Sequence, residues 1–193
     1  MINITDGLGY SLAKAQRQEL FEYRYSVFVE RLGWELDTQE GIETDEFDHD
    51  ETCYVIAKDS TGGMVGCARL LPTTRPYLLE KVFPELIGSE DPPKRDDIWE
   101  LSRFTSMDLK MTQGIHDGQM TSQVTQRLLW HSFKVAKRKG AKAVISVSPV
   151  GIERLLRSMG VPNHRLGPAM IIGSYALVAC YVDLEELLID PGA

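Results

Sequence analysis

Residues Trp99 to Phe104 set the strongest limit on the fold, because this short apolar run carries two opposite charges, Glu100 and Arg103. Its composition predicts a buried strand. Side chains alternate across a strand, so residues three apart point to opposite faces unless a bulge re-phases the backbone. Charges inside a core need partners. The run therefore predicts either a structural ion pair between sheet and helix or a charged cleft at the middle of a sheet.

An amphipathic helix is predicted over residues 11–32, and it places Arg24 and Phe28 on one face because they are four residues apart. Residues 35–51 have no periodicity and are rich in carboxylates. Taken alone, they predict a solvated acidic loop. Large apolar groups such as Trp34 interleave with the charges, however, and rings beside carboxylates suit a cationic ligand.

Two strand-like runs, 52–58 and 64–71, are joined by a five-residue turn rich in glycine, and they predict an antiparallel hairpin. Arg69 lies inside the second run, where a charge needs a partner. We expect that partner to be Glu100 or an acid of the preceding loop.

The remaining pattern predicts an α/β fold with a mixed sheet and helices on both of its faces. Beyond the hairpin and the central strand, it consists of a helix near 78–82, a helix at 119–139, a strand at 143–148, a helix at 151–159, a strand at 175–182 and a short helix at 184–188.

Composition limits the function classes. We expect one domain over residues 1–193, and the net charge of −7 argues against nucleic acid as the main partner. The amino terminus has no export signal and no stretch is apolar enough for a bilayer, so we expect a cytoplasmic monomer without a membrane span. The odd number of cysteines predicts reduced thiols, and the four histidines form no ligand-like pair with them, so no metal site is predicted.

Five short motifs follow one another along most of the chain: Arg24 to Phe28, Leu32 to Trp34, Glu43 to Asp48, Gly66 to Thr74, and Trp99 to Arg103. Each is weak alone. Their order and spacing together resemble the acyl-homoserine lactone synthases, the autoinducer synthases of bacterial quorum sensing.

The resemblance implies a sandwich similar to the GCN5-related N-acetyltransferases and an acyltransferase activity. An acyl chain would come from acyl carrier protein, and S-adenosylmethionine would be the acyl acceptor, consumed as substrate, with no cofactor. The amine attacks the thioester to form an amide. The methionyl carboxylate then closes onto its own γ-carbon and expels methylthioadenosine.

Site residues follow from matching motifs and chemistry. Attack needs a base, for which Glu43 and Glu100 are both candidates, and Arg103 belongs to the same catalytic set. The groups expected to bind S-adenosylmethionine are Arg24, Phe28, Trp34, Asp45, Asp48 and Arg69. We therefore expect the N-terminal helix, the acidic loop and the middle of the sheet to converge on one pocket.

An acyl pocket is predicted between the central strand and the strand at 143–148, although plain core packing explains most of the same residues. The pocket is expected to contain Leu101, Phe104, Met107, Val147, Ser148 and Met159. The long helix ends in a basic cluster, which the helix dipole explains in part and which could also dock the acidic carrier protein. This cluster consists of Lys134, Lys137, Arg138 and Lys139.

Three alternatives compete with this hypothesis. An acetyl-coenzyme A acetyltransferase of the same fold would need a pyrophosphate loop, which the sequence lacks. A non-catalytic module could use the acidic loop to hold a basic partner, but it leaves Arg24, Arg69 and Arg103 only structural roles. A Rossmann methyltransferase is disfavoured because no glycine-rich turn follows the first strand.

Overall fold

The computed structural model describes residues 1–110 and 122–187, and the chain divides into two compact units. The first unit consists of residues 1–69 and 103–132, and the second of residues 70–102 and 133 onward. Strands β3 and β4 and helix α3, defined below, each contribute residues to both units.

The first unit contains the strands β1 (Asn3–Leu8) and β2 (Cys53–Lys58) and most of β3 (Met64–Pro72). They lie in the order β1-β2-β3, with β1 antiparallel to β2. The Asp59 carboxylate accepts backbone hydrogen bonds from Thr61 and Gly63 in the turn between β2 and β3. The predicted hairpin is confirmed, whereas β1 was not predicted.

Helix α1 (Lys14–Arg24) continues directly into a π-helical segment, Tyr25–Arg31. The prediction of helix over residues 11–32 is thus confirmed for residues 14–31 and wrong for residues 12, 13 and 32, and the change to π geometry was not foreseen. Such segments often occur at functional sites. Leu20, Val27 and Phe28 are buried in a core shared with β2, which fixes the end of α1 against the sheet.

The second unit contains β4 (Ile98–Thr105, through residue 102), β5 (Ala143–Pro149), β6 (Asn163–Arg165), β7 (Met170–Ile172) and β8 (Tyr175–Asp183). Their order is β4-β5-β8-β6, and β7 also pairs with β8. Strand β5 is parallel to β4 and antiparallel to β8. The sheet is therefore mixed, as predicted.

The other helices are α2 (Leu78–Lys81), α3 (Ser122–Arg138) and α4 (Val150–Ser158). Helix α4 packs on β5 and β8. The predicted helix at 184–188 is wrong for residues 184–187, which are not helical, and residue 188 lies outside the described part. The predicted start of the long helix, at residues 119–121, also lies outside it. In the described ranges, no helix is long and apolar enough to cross a membrane.

Candidate active site

A cluster of three arginines and three carboxylates lies in the first unit. Arg24 ends α1, Arg69 lies on β3, Arg103 lies on β4, and the loop between α1 and β2 supplies Glu43, Asp45 and Asp48. We call these six residues the ion cluster. Their formal charges cancel, and each of the six groups forms an ion pair with at least one group of opposite sign.

Glu43 is the link between two of the arginines. Its side chain is 1% exposed and accepts from Arg24 Nε at 2.5 Å and from Arg103 Nη2 at 3.0 Å. The Glu43 backbone N–H donates to the Phe21 carbonyl, which pins the loop to α1. Burial raises the pKa of Glu43, but the two guanidinium groups more than offset this and lower it overall. Glu43 is therefore a weak base.

Asp48 accepts hydrogen bonds on both of its carboxylate oxygens. Arg24 binds it with both terminal nitrogens, at 2.7 and 2.9 Å, and the Asp45 backbone N–H donates to it at 2.9 Å. Arg69 Nη1 lies 3.2 Å from it. The Tyr54 hydroxyl donates to it at 2.9 Å. Sequence reasoning missed Tyr54, because a tyrosine in a strand looks like ordinary core.

Asp45 forms the accessible edge of the ion cluster. Its carboxylate accepts from Arg69 Nη1 at 2.5 Å and from Arg103 Nη2 at 2.9 Å. Its side chain is 20% exposed, against 1% for Glu43 and 2% for Asp48. A ligand group reaching the ion cluster from solvent would therefore meet Asp45 before the other two carboxylates.

Arg103 breaks the alternation of β4. Its φ is 50°, in the left-handed region that residues other than glycine seldom adopt. Its carbonyl accepts a weak hydrogen bond from the Cys67 thiol at 3.5 Å. The sequence left open whether a bulge interrupts this strand, and the structure departs from extended backbone geometry at Arg103 itself.

Aromatic rings lie beside the arginines. Phe28 and Trp34 stack with centroids 4.8 Å apart, and the Arg103 guanidinium lies 5.7 Å from the Phe28 ring. Phe47 lies 5.5 Å below Arg69 in the same way. Phe47 of the acidic loop thus packs with a cation of the ion cluster, whereas Trp34 stacks on Phe28. Aromatic faces of this kind suit a positively charged ligand.

Glu100 lies in the second unit and has a different environment. Its carboxylate accepts from the backbone N–H groups of Leu78 and Leu79, at 3.0 and 2.7 Å. These are the first residues of α2, so Glu100 stabilises the start of that helix. This contact gives Glu100 a structural role, and its role as a base stays a prediction.

The predicted acyl-pocket residues are distributed over both units, and their role in binding an acyl chain stays a prediction. Phe104 and Met107 belong to the first unit, and Leu101, Val147, Ser148 and Met159 to the second. The four predicted docking residues are exposed at the end of α3 in the second unit: Lys134, Lys137, Arg138 and Lys139. One of them has an internal role, because Lys137 Nζ donates to the Leu184 carbonyl at 2.8 Å.

The described residues contain no group of three or more histidine, cysteine, aspartate or glutamate side chains placed to hold a metal ion. What the ion cluster offers instead is fixed cations, one accessible carboxylate and aromatic faces. These groups suit a zwitterionic or cationic organic ligand.

Glu43 and Asp48 predict how stability depends on pH. Burial raises the pKa of Asp48, but Arg24 and Arg69 more than offset this, so both carboxylates have lowered pKa values in the folded state. In the unfolded chain they titrate near pH 4, so acidification there protonates the unfolded state first and favours unfolding. We expect their contribution to be constant above about pH 5 and to be lost progressively as pH falls below it.

Urea unfolding at a series of pH values measures this effect. A variant carrying Glu43→Gln and Asp48→Asn should be less stable at pH 7 and should lose less stability on acidification than the natural chain. Parallel curves for the two proteins would contradict the assignment.

Comparison with known proteins identifies the family to which this chain belongs. The family model for autoinducer synthases matches residues 9–188, and the chain belongs to this family. An acyl-homoserine-lactone synthase of Acinetobacter nosocomialis is 42% identical over 183 residues, which cover 95% of this chain and 100% of the relative. The resemblance carried by the five motifs is therefore confirmed, and the chain is an acyltransferase of the acyl-homoserine-lactone synthase family.

Solved structures of similar fold agree with this family assignment. The crystal structure of TofI in a ternary complex with an inhibitor and MTA is 38% identical, covers 94% of this chain and 91% of that chain, and has a TM-score of 0.82. A structure assigned as an N-acetyltransferase of Lactobacillus plantarum is only 15% identical, covers 95% and 98% of the two chains, and has a TM-score of 0.63. The predicted likeness in fold to N-acetyltransferases is thus confirmed.

Proposed function

We propose that this synthase uses S-adenosylmethionine as its acyl acceptor and takes the acyl chain from acyl carrier protein. The assignment of the acceptor rests on the ion cluster, with its single accessible carboxylate, and on the stacked rings beside it. S-adenosylmethionine combines a sulfonium, an amine and a carboxylate. Asp45 suits the cationic groups, the guanidinium groups suit the carboxylate, and the Phe28 and Trp34 rings suit the sulfonium.

The TofI complex supports this proposal, because its MTA corresponds to the methylthioadenosine that the reaction would release. In that reaction the amine nitrogen bonds to the acyl carbon, and the carrier thiol leaves. The methionyl carboxylate oxygen then bonds to the γ-carbon while the γ-carbon to sulfur bond breaks. The positive sulfonium thereby becomes the neutral thioether of methylthioadenosine.

The carboxylates of the ion cluster have different roles in this proposal. Glu43 is buried between Arg24 and Arg103 and has a lowered pKa. Its role in this proposal is therefore to position the two arginines, and Glu100 stays the other candidate that the motifs offer for a base. Asp45, the accessible carboxylate, orients the acceptor.

The acyl donor is proposed to bind the second unit. Strands β4 and β5 pair in parallel from Ile98 opposite Ala143 to Glu100 opposite Ile145. Both strands continue past this ladder, and β5 stays paired with β8 on its other edge as far as Pro149. An extended amide-bearing arm, such as phosphopantetheine, could pair with strand backbone at that end.

A product assay tests the proposal. The protein is incubated with S-adenosylmethionine and matched acyl thioesters of carrier protein or coenzyme A, and methylthioadenosine and acyl lactone are quantified. We expect equal amounts of both products with the carrier-protein thioester. Turnover only with coenzyme A thioesters would overturn the donor assignment, and free thiol without methylthioadenosine would overturn the acceptor.

The basic end of α3 carries a prediction about the donor. Reversing Arg138 and Lys139 to glutamate should raise the KM for acyl carrier protein roughly tenfold at low salt, because an acidic partner would meet repulsion there. The KM for S-adenosylmethionine should stay the same. Steady-state kinetics with each substrate varied in turn measure both constants.

The matched control changes the net charge equally at other exposed lysines, in the double variant Lys14→Glu and Lys81→Glu. It should leave both KM values nearly unchanged. Equal increases in the carrier-protein KM for the two double variants would show that net charge, rather than this surface, determines docking.

A further inference from the structure

We infer that Tyr54 is a positioning residue for the acceptor site: its hydroxyl fixes the Asp48 carboxylate and, through it, the accessible carboxylate of Asp45. This inference rests on the proposed binding of S-adenosylmethionine to the ion cluster. Tyr54 lies on β2, is 1% exposed, and belongs to none of the motifs that carried the sequence prediction.

The hydrogen bonds of Asp48 show why the hydroxyl matters. Asp48 Oδ1 accepts from Arg24 Nη1 at 2.7 Å and from the Tyr54 hydroxyl at 2.9 Å. Asp48 Oδ2 accepts from Arg24 Nη2 and from the Asp45 backbone N–H, both at 2.9 Å. Donors on both oxygens fix the rotation of the carboxylate, and Tyr54 supplies the neutral donor on the first oxygen.

The orientation of the Asp48 carboxylate also determines the position of Asp45. The Asp45 backbone donates to Asp48, and the Asp45 carboxylate bridges Arg69 and Arg103. A rotated Asp48 would shift the Asp45 backbone and weaken this bridge. Because Asp45 is the accessible carboxylate, the shift would act directly on the acceptor.

The Tyr54 side chain is itself held firmly. Its ring packs edge-on against Phe21, with centroids 6.2 Å apart, and Phe21 lies under the Arg24 guanidinium at 5.4 Å. Burial and the nearby Asp48 carboxylate raise the pKa of Tyr54, so the hydroxyl keeps its proton and acts as a donor. Removing the hydroxyl leaves the packing of the ring in place.

The test removes this one oxygen. Tyr54→Phe should weaken binding of S-adenosylmethionine about tenfold, because the ligand would then have to order the Asp48 and Asp45 carboxylates that the hydroxyl holds in place in the natural chain. The dissociation constant is measured by titration calorimetry, without turnover. The KM for the acyl donor should change less than about twofold.

Tyr23→Phe is the matched control. Tyr23 is also buried in the first unit, but its hydroxyl bonds to the backbone carbonyl and N–H of Met107, at 2.8 and 3.1 Å. Both variants should unfold at lower urea concentration, whereas only Tyr54→Phe should weaken S-adenosylmethionine binding. Equal dissociation constants for the two variants would overturn the inference.

A double-mutant cycle tests the route through Asp48. In an Asp48→Asn background, Tyr54→Phe should change the dissociation constant less than about twofold. A second tenfold loss would overturn the inference, and if Asp48→Asn does not fold, the tyrosine comparison decides alone. Failure of the natural chain itself to bind S-adenosylmethionine would instead overturn the proposed function, and this inference with it.

Discussion

Replacing Arg24 by methionine is expected to lower the free energy of unfolding by about 3 to 5 kcal/mol, the usual cost of removing one partner from a buried ion pair. Arg24 is 1% exposed and binds both Glu43 and Asp48. Its removal leaves two buried carboxylates with fewer positive partners. Equilibrium urea unfolding at pH 7 measures the change.

Arg17 provides the control on the same helix. It pairs with Asp50 at 2.8 Å, but the two side chains are 37% and 71% exposed, and an exposed pair contributes at most about 1 kcal/mol. Arg17→Met should therefore cost far less than Arg24→Met. Similar losses for the two variants would contradict the view that Arg24 organises the ion cluster, and Arg24→Lys provides the comparison if Arg24→Met does not fold.

Replacing Glu43 by glutamine is expected to lower kcat/KM about 100-fold, since two buried guanidinium groups lose their shared anion at a cost of roughly 3 kcal/mol. The glutamine amide would also present N–H donors to those cations. Because Glu43 positions arginines in our account, the acidic limb of the pH–rate profile should persist in the variant. Loss of that limb would show that Glu43 is the base.

Glu153 is another buried carboxylate that pairs with two arginines outside the ion cluster, although its arginine partners are 63% and 38% exposed. Its side chain is 2% exposed and pairs with Arg157 and Arg165, at 2.5 and 2.7 Å, in the second unit. Glu153→Gln should reduce stability while leaving kcat/KM within about threefold of the natural value. A comparable loss of activity in both variants would indicate that the Glu43 effect arises from destabilisation alone.

The fold was largely predictable from the sequence because its signals are local. The hairpin of β2 and β3 follows from a glycine-rich turn whose Asp59 side chain closes it. Strand β1 was missed because its residues are mostly polar or glycine and show no apolar alternation. The short strands β6 and β7 were missed because three residues carry too little pattern.

The sequence indicated which residues belong to the candidate site, but it could not show which of them contact one another. Family motifs indicated Arg24, Glu43 and Asp48, and the structure shows them in direct contact. Spacing alone cannot show that Glu100 accepts from the start of α2, because that contact joins residues about twenty positions apart. Long-range pairing of this kind depends on the folded chain.

Two features could not have been predicted. The left-handed backbone of Arg103 is not signalled by its residue type, since arginine seldom adopts a positive φ. Tyr54 fits its strand as a normal aromatic core residue, and only the distance to Asp48 reveals a polar role. For Arg103 the tertiary structure overrides the local backbone preference, whereas Tyr54 follows its strand preference and its polar role comes only from a tertiary contact.

A crystal structure of the protein with S-adenosylmethionine tests the central claim most directly. We expect the ligand to contact Asp45 and Arg103 in the first unit, with its sulfonium beside the stacked rings of Phe28 and Trp34. Binding of S-adenosylmethionine at a place that leaves the ion cluster untouched would contradict this account of the acceptor site.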